Sequence, residues 1–303
     1  MDLTDQLRAF VATAQTGSFT RAAENLGTSN RLTSKYVAEL ESRLKVRLFQ
    51  RTTRKVGLTP AGEELMARAP ALLDELDDLI ANVARDSRGL SGLLRISAPV
   101  TFGEIYLVGM LGRFSEVYPE IKIDLRLNDR FVDLASEGID IAFRLGHFNL
   151  SSLKVRRLGQ FESVLVGSPN YIQTQGAPKT PEELPNHSCI IDSNRQNPHR
   201  WIFNQSGKDH VARIDGRFIV NSASAAVSLA RLGFGLAYVP SFAVQQAIET
   251  GDLVALLKDY AGEYGPVGAV YLEGRTLPRK VRTLIDFALE DVKSTGLLKQ
   301  RYV

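Results

Sequence analysis

Residues 18 to 59 constrain the fold more than any other part of this chain. They read SFTRAAENLGTSNRLTSKYVAELESRLKVRLFQRTTRKVGLT: two segments of helical periodicity flank Gly27, and a segment of threonines and cations follows. This order predicts a helix, a tight turn, a second helix and a basic hairpin. The layout is that of a winged helix-turn-helix.

The charge of the chain is concentrated in the same region. Residues 1 to 59 hold ten Lys or Arg against five Asp or Glu, whereas the whole chain holds 37 against 34 and the remainder 27 against 29. A basic head therefore precedes a mildly acidic body, which favours nucleic acid as the partner of the head.

The apolar spacing of the head predicts three helices. Gly17 can end the first, and Ser18 is a good cap for the second. Gly27 then supplies the turn, and Thr28 or Ser29 caps the third. The inward stripe of the third helix is formed by Leu32, Tyr36, Val37, Leu40 and Leu44.

The opposite side of the third helix carries polar and basic side chains on its first turns. Such donors and acceptors suit base edges and phosphates, and a recognition helix enters the major groove at this end. Arg31 can bind guanine and Asn30 adenine, each contact worth ~1–3 kcal/mol of discrimination. The predicted reading set is Asn30, Arg31, Thr33, Ser34 and Lys35.

The segment from Gln50 to Lys55 places threonines between three cations. It predicts a wing along the DNA backbone, in which Arg51 or Arg54 enters the minor groove. We include Thr52 between them in the predicted interface. For any single charge, the alternative is a solvated surface position.

A connecting helix is predicted from Thr59 and Pro60, a cap followed by a proline at the first helical position. Apolar residues then step by four and three, which is a heptad seam and indicates a homodimer through this helix. The alternative is that the stripe packs on its own chain. Pro70 predicts a bend near Met66. The seam residues are Leu65, Ala69, Leu72, Leu76, Leu79 and Val83.

The body alternates short apolar strands with helices, which predicts parallel α/β sheets. Ligands of such sheets lie beyond the carboxyl ends of the strands, at helix N-termini that favour an anion. The turns at 98–102 and 221–224 are the candidates. Predicted strands are 93–98, 121–127, 139–144, 163–167, 217–220 and 235–239, and predicted helices are 105–118, 133–138, 223–232 and 242–250.

These residues together resemble the LysR-type transcriptional regulators over essentially the whole chain. The resemblance implies an all-α winged helix-turn-helix head plus a long linker helix, joined to an α/β two-lobed periplasmic-binding-protein-like effector domain. It also supports a DNA role for Ser34, Lys35, Arg51 and Arg54. The matching positions include Phe10, Gly17, Ser18, Ala22, Ala23, Leu26, Ser34, Leu40, Glu41, Leu48, Phe49, Arg51, Thr59 and Gly62.

The implied boundaries are a head at 1–59, a linker at 60–88, a hinge at 89–92 and an effector domain at 93–303. Lobe 1 would comprise about 93–162 and 268–303, and lobe 2 about 163–267.

The resemblance also implies a pocket between the lobes. Arg144 ends an apolar strand and could pair with an acidic effector, or it bonds carbonyls or Asp129 instead. Trp201 could equally be core. The implied pocket residues are Pro99, Val100, Thr101, Phe102, Asn128, Arg144, Gly146, Trp201 and Ser222.

Several classes of function lack support in the sequence. The single cysteine, Cys189, cannot form an internal disulfide, and no histidine spacing fits zinc. We find no nucleophile elbow or phosphate loop, and so expect neither enzyme activity nor a cofactor. Without an evident signal peptide or a long apolar run, a cytoplasmic location and no membrane contact are expected.

The sequence thus predicts a regulator that binds double-stranded promoter DNA and is modulated by a small-molecule effector, expected to be anionic. It would act as a homodimer or homotetramer, with RNA polymerase as a further candidate partner. Two rivals keep DNA binding but lack an effector or respond to redox chemistry at Cys189. A solute-binding protein is a third rival.

Overall fold

A small helical head, a connecting helix and a two-lobed body follow one another along the chain. The computed structural model describes residues 2–51, 56–70, 72–73, 76, 90–146, 153–272 and 277–299, and of Arg51 only the backbone. No helix in these ranges is long and apolar enough to cross a membrane.

The head contains three helices and a two-stranded hairpin. Ser18 and Ser29 cap the second and third helices by accepting from the Arg21 and Leu32 amides, and Gly27 ends the second helix at a left-handed φ of 64°. Phe10 and Phe19 pack on Phe49 of the hairpin. The elements are α1 (Leu3–Thr16), α2 (Phe19–Leu26), α3 (Asn30–Leu44), β1 (Phe49–Arg51) and β2 (Val56–Leu58).

Glu41 joins α3 to the hairpin. Its carboxylate accepts hydrogen bonds from the backbone amides of Leu48 at 2.8 Å and Phe49 at 3.2 Å, and it pairs with Arg47 at 2.9 Å. Burial alone would raise the pKa of Glu41, but the amides and Arg47 together lower it. The charged carboxylate therefore fixes where the hairpin leaves the third helix.

The connecting helix starts as predicted and breaks early. In α4 (Pro60–Met66), Thr59 accepts from the Gly62 amide at 3.1 Å. The helix ends at Met66, whose carbonyl would need the amide hydrogen that Pro70 lacks. Ala69 of the predicted seam is buried in the core of its own head, whereas Leu72 is 57% exposed. Leu79 and Val83 lie outside the described residues.

Lobe 1 is a sheet covered by two long helices. The helix after the first strand contains a π-helical turn, Gly103–Leu107, between Val100–Phe102 and Val108–Val117; we call the whole segment α5. The strands are β3 (Gly92–Ala98), β4 (Ile121–Leu127), β5 (Ile141–Leu145) and the first part of β6 (Leu153–Gly167), together with β14 (Tyr264–Leu272), and the second helix is α9 (Arg279–Thr295).

Lobe 2 combines a second sheet with a separate hairpin. Its sheet contains the end of β6 with β7 (Cys189–Asp192), β10 (Phe218–Val220), β11 (Leu236–Pro240) and β12 (Val254–Leu256), and the hairpin is β8 (Arg200–Gln205) and β9 (Lys208–Arg213) beside β13 (Ala261–Gly262). Its helices are α6 (Pro169–Gln175), α7 (Ala223–Arg231) and α8 (Gln245–Glu249), with 3-10 turns at Pro181–Asn186 and Ser241–Ala243.

One strand belongs to both lobes. Along β6, residues up to Glu162 pair with β14 in lobe 1, and residues from Ser163 pair with β11 in lobe 2. The chain returns beside it, since the Ser163 amide donates to the Glu263 carbonyl at 2.8 Å. The two lobes are therefore joined by adjacent segments that cross side by side.

Two expectations for the body need correction. The sheets are mixed: β3 is parallel to β4 and β5, but β14 runs antiparallel to β5 and β6 because the chain crosses and returns.

Residues 133–138 form turns instead of a helix. There the Asp133 side chain accepts from the Ala135 and Ser136 amides, and Gly138 turns left-handed.

We expect Glu41→Ala to destabilise the head by ~1–3 kcal/mol, because two hairpin amides lose their acceptor. Glu41→Gln should be intermediate, and exposed Glu64→Ala is the control. Since the folded pKa of Glu41 lies below its unfolded value of roughly 4.3, the stabilisation is present above that value and is lost as the pH falls through the folded pKa. Thermal melting of the full chain from pH 7 to pH 3 measures this. Equal melting of Glu41→Ala and Glu64→Ala would contradict it.

Candidate functional site

The start of α3 presents polar side chains on the surface of the head. Asn30, Arg31 and Lys35 are exposed, and Ser34 is half-buried. The Asn30 amide group donates to the Thr20 hydroxyl at 3.1 Å and accepts from the Ser34 hydroxyl at 3.3 Å. These bonds orient Asn30 and connect the first turns of the second and third helices.

Thr33 does not belong to this surface. It is fully buried, and its hydroxyl donates to the Ser29 carbonyl at 3.2 Å and shares a hydrogen bond with Thr28 at 2.9 Å. The prediction that it reads DNA is wrong, because its helical position points into the turn between α2 and α3. It stabilises the turn instead.

The wing is described only at its base. β1 and β2 pair antiparallel from Phe49 opposite Leu58 to Arg51 opposite Val56. The predicted contacts of the Arg51 side chain, Thr52 and Arg54 lie outside the described residues.

A cavity of about 620 Å³ lies between the lobes of the body. Its wall combines the ends of strands from both lobes with the crossing segments. An aromatic part is formed by side chains that pack on one another, with ring centroids of Phe102 and Phe242 5.6 Å apart and those of Phe161 and Phe242 6.1 Å apart. The volume fits a small organic molecule.

Four of the predicted pocket residues line this cavity, namely Pro99, Thr101, Phe102 and Gly146. Three others do not and have local roles. The Val100 amide donates to Asp129, exposed Asn128 accepts from the Arg130 amide, and Ser222 caps α7 by accepting from the Ala225 amide. For these three, proximity in sequence to the pocket was misleading.

Arg144 and Trp201 are also corrected. The Arg144 guanidinium, buried behind the wall, donates to the Phe143 carbonyl at 3.2 Å and the Ser97 hydroxyl at 3.0 Å. Trp201 is fully buried in lobe 2 and packs on Tyr238, 5.3 Å between ring centroids. For both residues, the alternative that the sequence left open agrees with the structure. Arg144 donates to a carbonyl, and Trp201 belongs to the core.

Charged residues absent from the predicted set also line the wall. They are Asp129, Asp192, Arg195 and Glu263. Asp192 ends β7, a short apolar strand that the sequence analysis did not predict, and a search for polar residues after every apolar run would have found it. Glu263 lies at the crossing, where only the folded sheet brings it to the cavity.

Arg195 is held in place from several sides. Its guanidinium donates to the Ser163 hydroxyl at 3.1 Å and to the Glu263 carboxylate at 2.6 Å, and it lies 4.5 Å from the centre of the Tyr238 ring. Within the described ranges it is the one cation on the cavity wall. Its charge is paired with Glu263, and its Nε is buried without a hydrogen-bond partner among the described residues.

Asp129 and Asp192 approach the cavity from different lobes. Each accepts one backbone amide, Asp129 from Val100 and Asp192 from Asn194, both at 3.0 Å. Burial raises the pKa of Asp192, the Asn194 amide and the positive charge of Arg195 oppose this effect, and the negative charge of Asp129 adds to it. Within the described ranges the wall holds three carboxylates and one cation, and the anionic effector expected from the sequence stays a prediction.

A direct hydrogen-bonded contact joins the lobes at the cavity. Thr101 of lobe 1 accepts from the Ser224 amide at 3.3 Å and shares a 3.3 Å hydrogen bond with the Ser224 hydroxyl. Ser224 lies in the first turn of α7. A molecule that displaced or reinforced this contact would change how the lobes meet.

Cys189 lies away from solvent. The thiol donates weakly to the Leu184 carbonyl at 3.7 Å, and burial raises its pKa to about 12. The thiolate is the form that reacts with oxidants, so burial suppresses its chemistry. The described ranges contain no group of three or more His, Cys, Asp or Glu that could hold a metal ion.

The fold and the two surfaces define a protein with a helix-turn-helix head and a two-lobed ligand-binding body. Residues 4–63 match the model of bacterial regulatory helix-turn-helix proteins of the lysR family, and residues 87–293 match the LysR substrate binding domain. The chain belongs to the LysR family of transcriptional regulators. The predicted fold class and regulatory function are confirmed.

Individual relatives match over nearly their whole length. The chain is 34% identical to an uncharacterised HTH-type transcriptional regulator of Haemophilus influenzae, over 93% of this chain and 98% of the relative. It is 34% identical to the transcriptional regulator PtxR of Pseudomonas aeruginosa, covering 93% and 90%. The full-length structure of the Vibrio cholerae virulence activator AphB is 30% identical, covers 96% and 99%, and has a TM-score of 0.60.

We expect Cys189→Ala and the unchanged chain to bind DNA equally, before and after exposure to hydrogen peroxide. The reason is the burial and raised pKa of the thiol, which keep it from the oxidation steps open to a thiolate. Fluorescence anisotropy on the intergenic duplex upstream of the gene measures this. If peroxide changed the DNA binding of the unchanged chain but not that of Cys189→Ala, the redox-responsive alternative would be supported instead.

Proposed function

We propose that the first turns of α3 bind base edges in promoter DNA and that the wing follows the backbone. The observation that carries this proposal is the exposed set Asn30, Arg31 and Lys35 at the N-terminal end of the second helix of a helix-turn-helix. Lys35 lies 3.9 Å from Glu39 with its side chain 56% exposed. Such a weak surface pair can be exchanged for a phosphate at little cost.

We further propose that a small-molecule effector occupies the interlobe cavity and biases the arrangement of the lobes. The cavity touches both lobes, and the Thr101 to Ser224 contact bridges them. A ligand shifts such an equilibrium only through different affinities for the two arrangements, and a coupling of ~1–3 kcal/mol is ordinary.

Self-association through the connecting helix is part of the same proposal, as a homodimer or a homotetramer. Leu72 supports it as an exposed leucine on the heptad seam. Ala69 favours the competing interpretation, since it packs into its own head. RNA polymerase stays a candidate partner, and no described surface singles it out.

The rival without an effector is less well supported than the proposed function. A body without a ligand would not need carboxylates and aromatic rings around a space of about 620 Å³, because proteins normally fill or satisfy such space.

DNA binding is tested by fluorescence anisotropy on the intergenic duplex upstream of the gene, against a scrambled duplex, over a salt series. Arg31→Ala with Lys35→Ala should weaken specific binding at least about tenfold, since each base contact contributes ~1–3 kcal/mol. The matched control, Lys122→Ala with Lys179→Ala, removes two exposed cations from the body. Equal affinity in both double variants would overturn the interface, and no binding at low salt would overturn the regulator itself.

The lobe contact is tested with Thr101→Val, which keeps the side-chain shape but removes the hydroxyl. We expect transcription from a reporter under that promoter to change about fivefold or more, within the ordinary range of coupling, while purified protein binds the duplex normally. Thr101→Ser, which keeps the hydroxyl, is the control. Identical reporter output from both variants would show that the contact does not transmit a signal.

A further inference from the structure

Among the described residues, the cavity wall has an excess of negative charge that nearby cations compensate only in part. Three carboxylates line it, from Asp129, Asp192 and Glu263, against the single guanidinium of Arg195 among the described residues. Arg195 and Glu263 are paired at 2.6 Å. The other two carboxylates, those of Asp129 and Asp192, form no ion pair among the described residues, although the charges of Arg144 and Arg195 act on them through space.

Asp192 is placed to receive a donor from a ligand. The residue is only 6% exposed, yet it lines the cavity. One carboxylate oxygen accepts the Asn194 amide, and among the described residues no donor reaches the other. That second oxygen is not fully buried, so it can accept a hydrogen bond from a ligand in the cavity.

Asp129 faces the same space from the other lobe. One of its oxygens accepts the Val100 amide. The cation Arg144 attracts Asp129 through space. Arg144 itself donates to the Phe143 carbonyl and the Ser97 hydroxyl and lies 5.9 Å from the centre of the Phe131 ring, and it is not on the wall. In the described part of the chain, Asp129 forms no ion pair.

Two like charges on opposite lobes have a mechanical consequence. Their repulsion opposes approach of the lobes, and a cation between them reverses the sign of the interaction. The aromatic side chains Phe102, Phe131, Phe161 and Phe242 line the same cavity. Aromatic faces attract organic cations and bury an apolar body at once.

We propose that the effector of this regulator is an organic cation, an amine with an aromatic or aliphatic body, whose ammonium group lies between Asp129 and Asp192 and draws the lobes together. This rests on the proposed effector role of the cavity and specifies its ligand class. A metal ion fits less well, because the described ranges hold no group of three or more potential ligands.

The test uses the full chain and three matched probes of similar size: phenethylamine, phenylacetate and 2-phenylethanol. Thermal melting and isothermal titration calorimetry at pH 7.5 measure binding. We expect phenethylamine to raise the melting temperature, with at least tenfold higher affinity than 2-phenylethanol and no response to phenylacetate. Asp192→Asn and Asp129→Asn should each weaken phenethylamine binding at least tenfold, because they keep the amide acceptor and lose the charge.

Glu120→Gln is the control variant. It removes an exposed carboxylate just before β4, whereas the cavity lies beyond the carboxyl end of that strand, and it should bind phenethylamine like the unchanged chain. A second readout guards against misfolded variants: without any probe, Asp192→Asn should melt at a higher temperature than the unchanged chain at pH 7.5. The reason is that burial and the repulsion from Asp129 disfavour the Asp192 charge more than Arg195 favours it.

Binding of phenylacetate in preference to phenethylamine would overturn the cationic class, as would equal binding of all three probes. No response to any probe, together with unchanged melting of Asp192→Asn, would overturn it as well. None of these results affects the DNA-binding assay, which uses no probe. Failure of the ligand class is therefore distinguishable from failure of the regulator.

Discussion

The strand shared by the two lobes is the constraint on which the rest of the body depends. β6 pairs in lobe 1 up to Glu162 and in lobe 2 from Ser163, with the return segment beside it. The two crossing segments lie so close together that a Cβ atom added at Gly262 would be 1.7 Å from the Ser163 carbonyl oxygen. Only glycine fits there, so the geometry of the crossing is fixed by backbone contact.

The same crossing positions the positive charge of Arg195 at the cavity. Ser163 and Glu263, which sit at the two crossing segments, both bind the Arg195 guanidinium. The crossing segments thereby hold the cation on the cavity wall, near the Asp192 carboxylate at the end of β7. Movement of the lobes and the charge balance of the cavity are thus governed by one set of contacts.

Local sequence signals were enough to predict the head, because its helices and turns are defined by interactions between residues close together in the sequence. Caps at Ser18 and Ser29, the turn at Gly27 and the apolar stripes each depend on residues within one or two turns of helix. Thr33 shows the limit of that reasoning: composition marked it as a polar reader, but its angle on the helix points it inward. A refined helical projection of α3 could have separated it from Arg31.

Local patterns in the sequence predict the class of protein, the order of head, connector and body, and the exposed start of the third helix, since periodicity, caps and charge act over short distances along the chain. Tertiary structure decided which residues surround the cavity. Trp201 became core while Asp192 and Glu263 reached the wall, because the cavity is assembled from strand ends far apart in sequence. Their proximity is set by sheet order and by the crossing of β6, which no local pattern encodes.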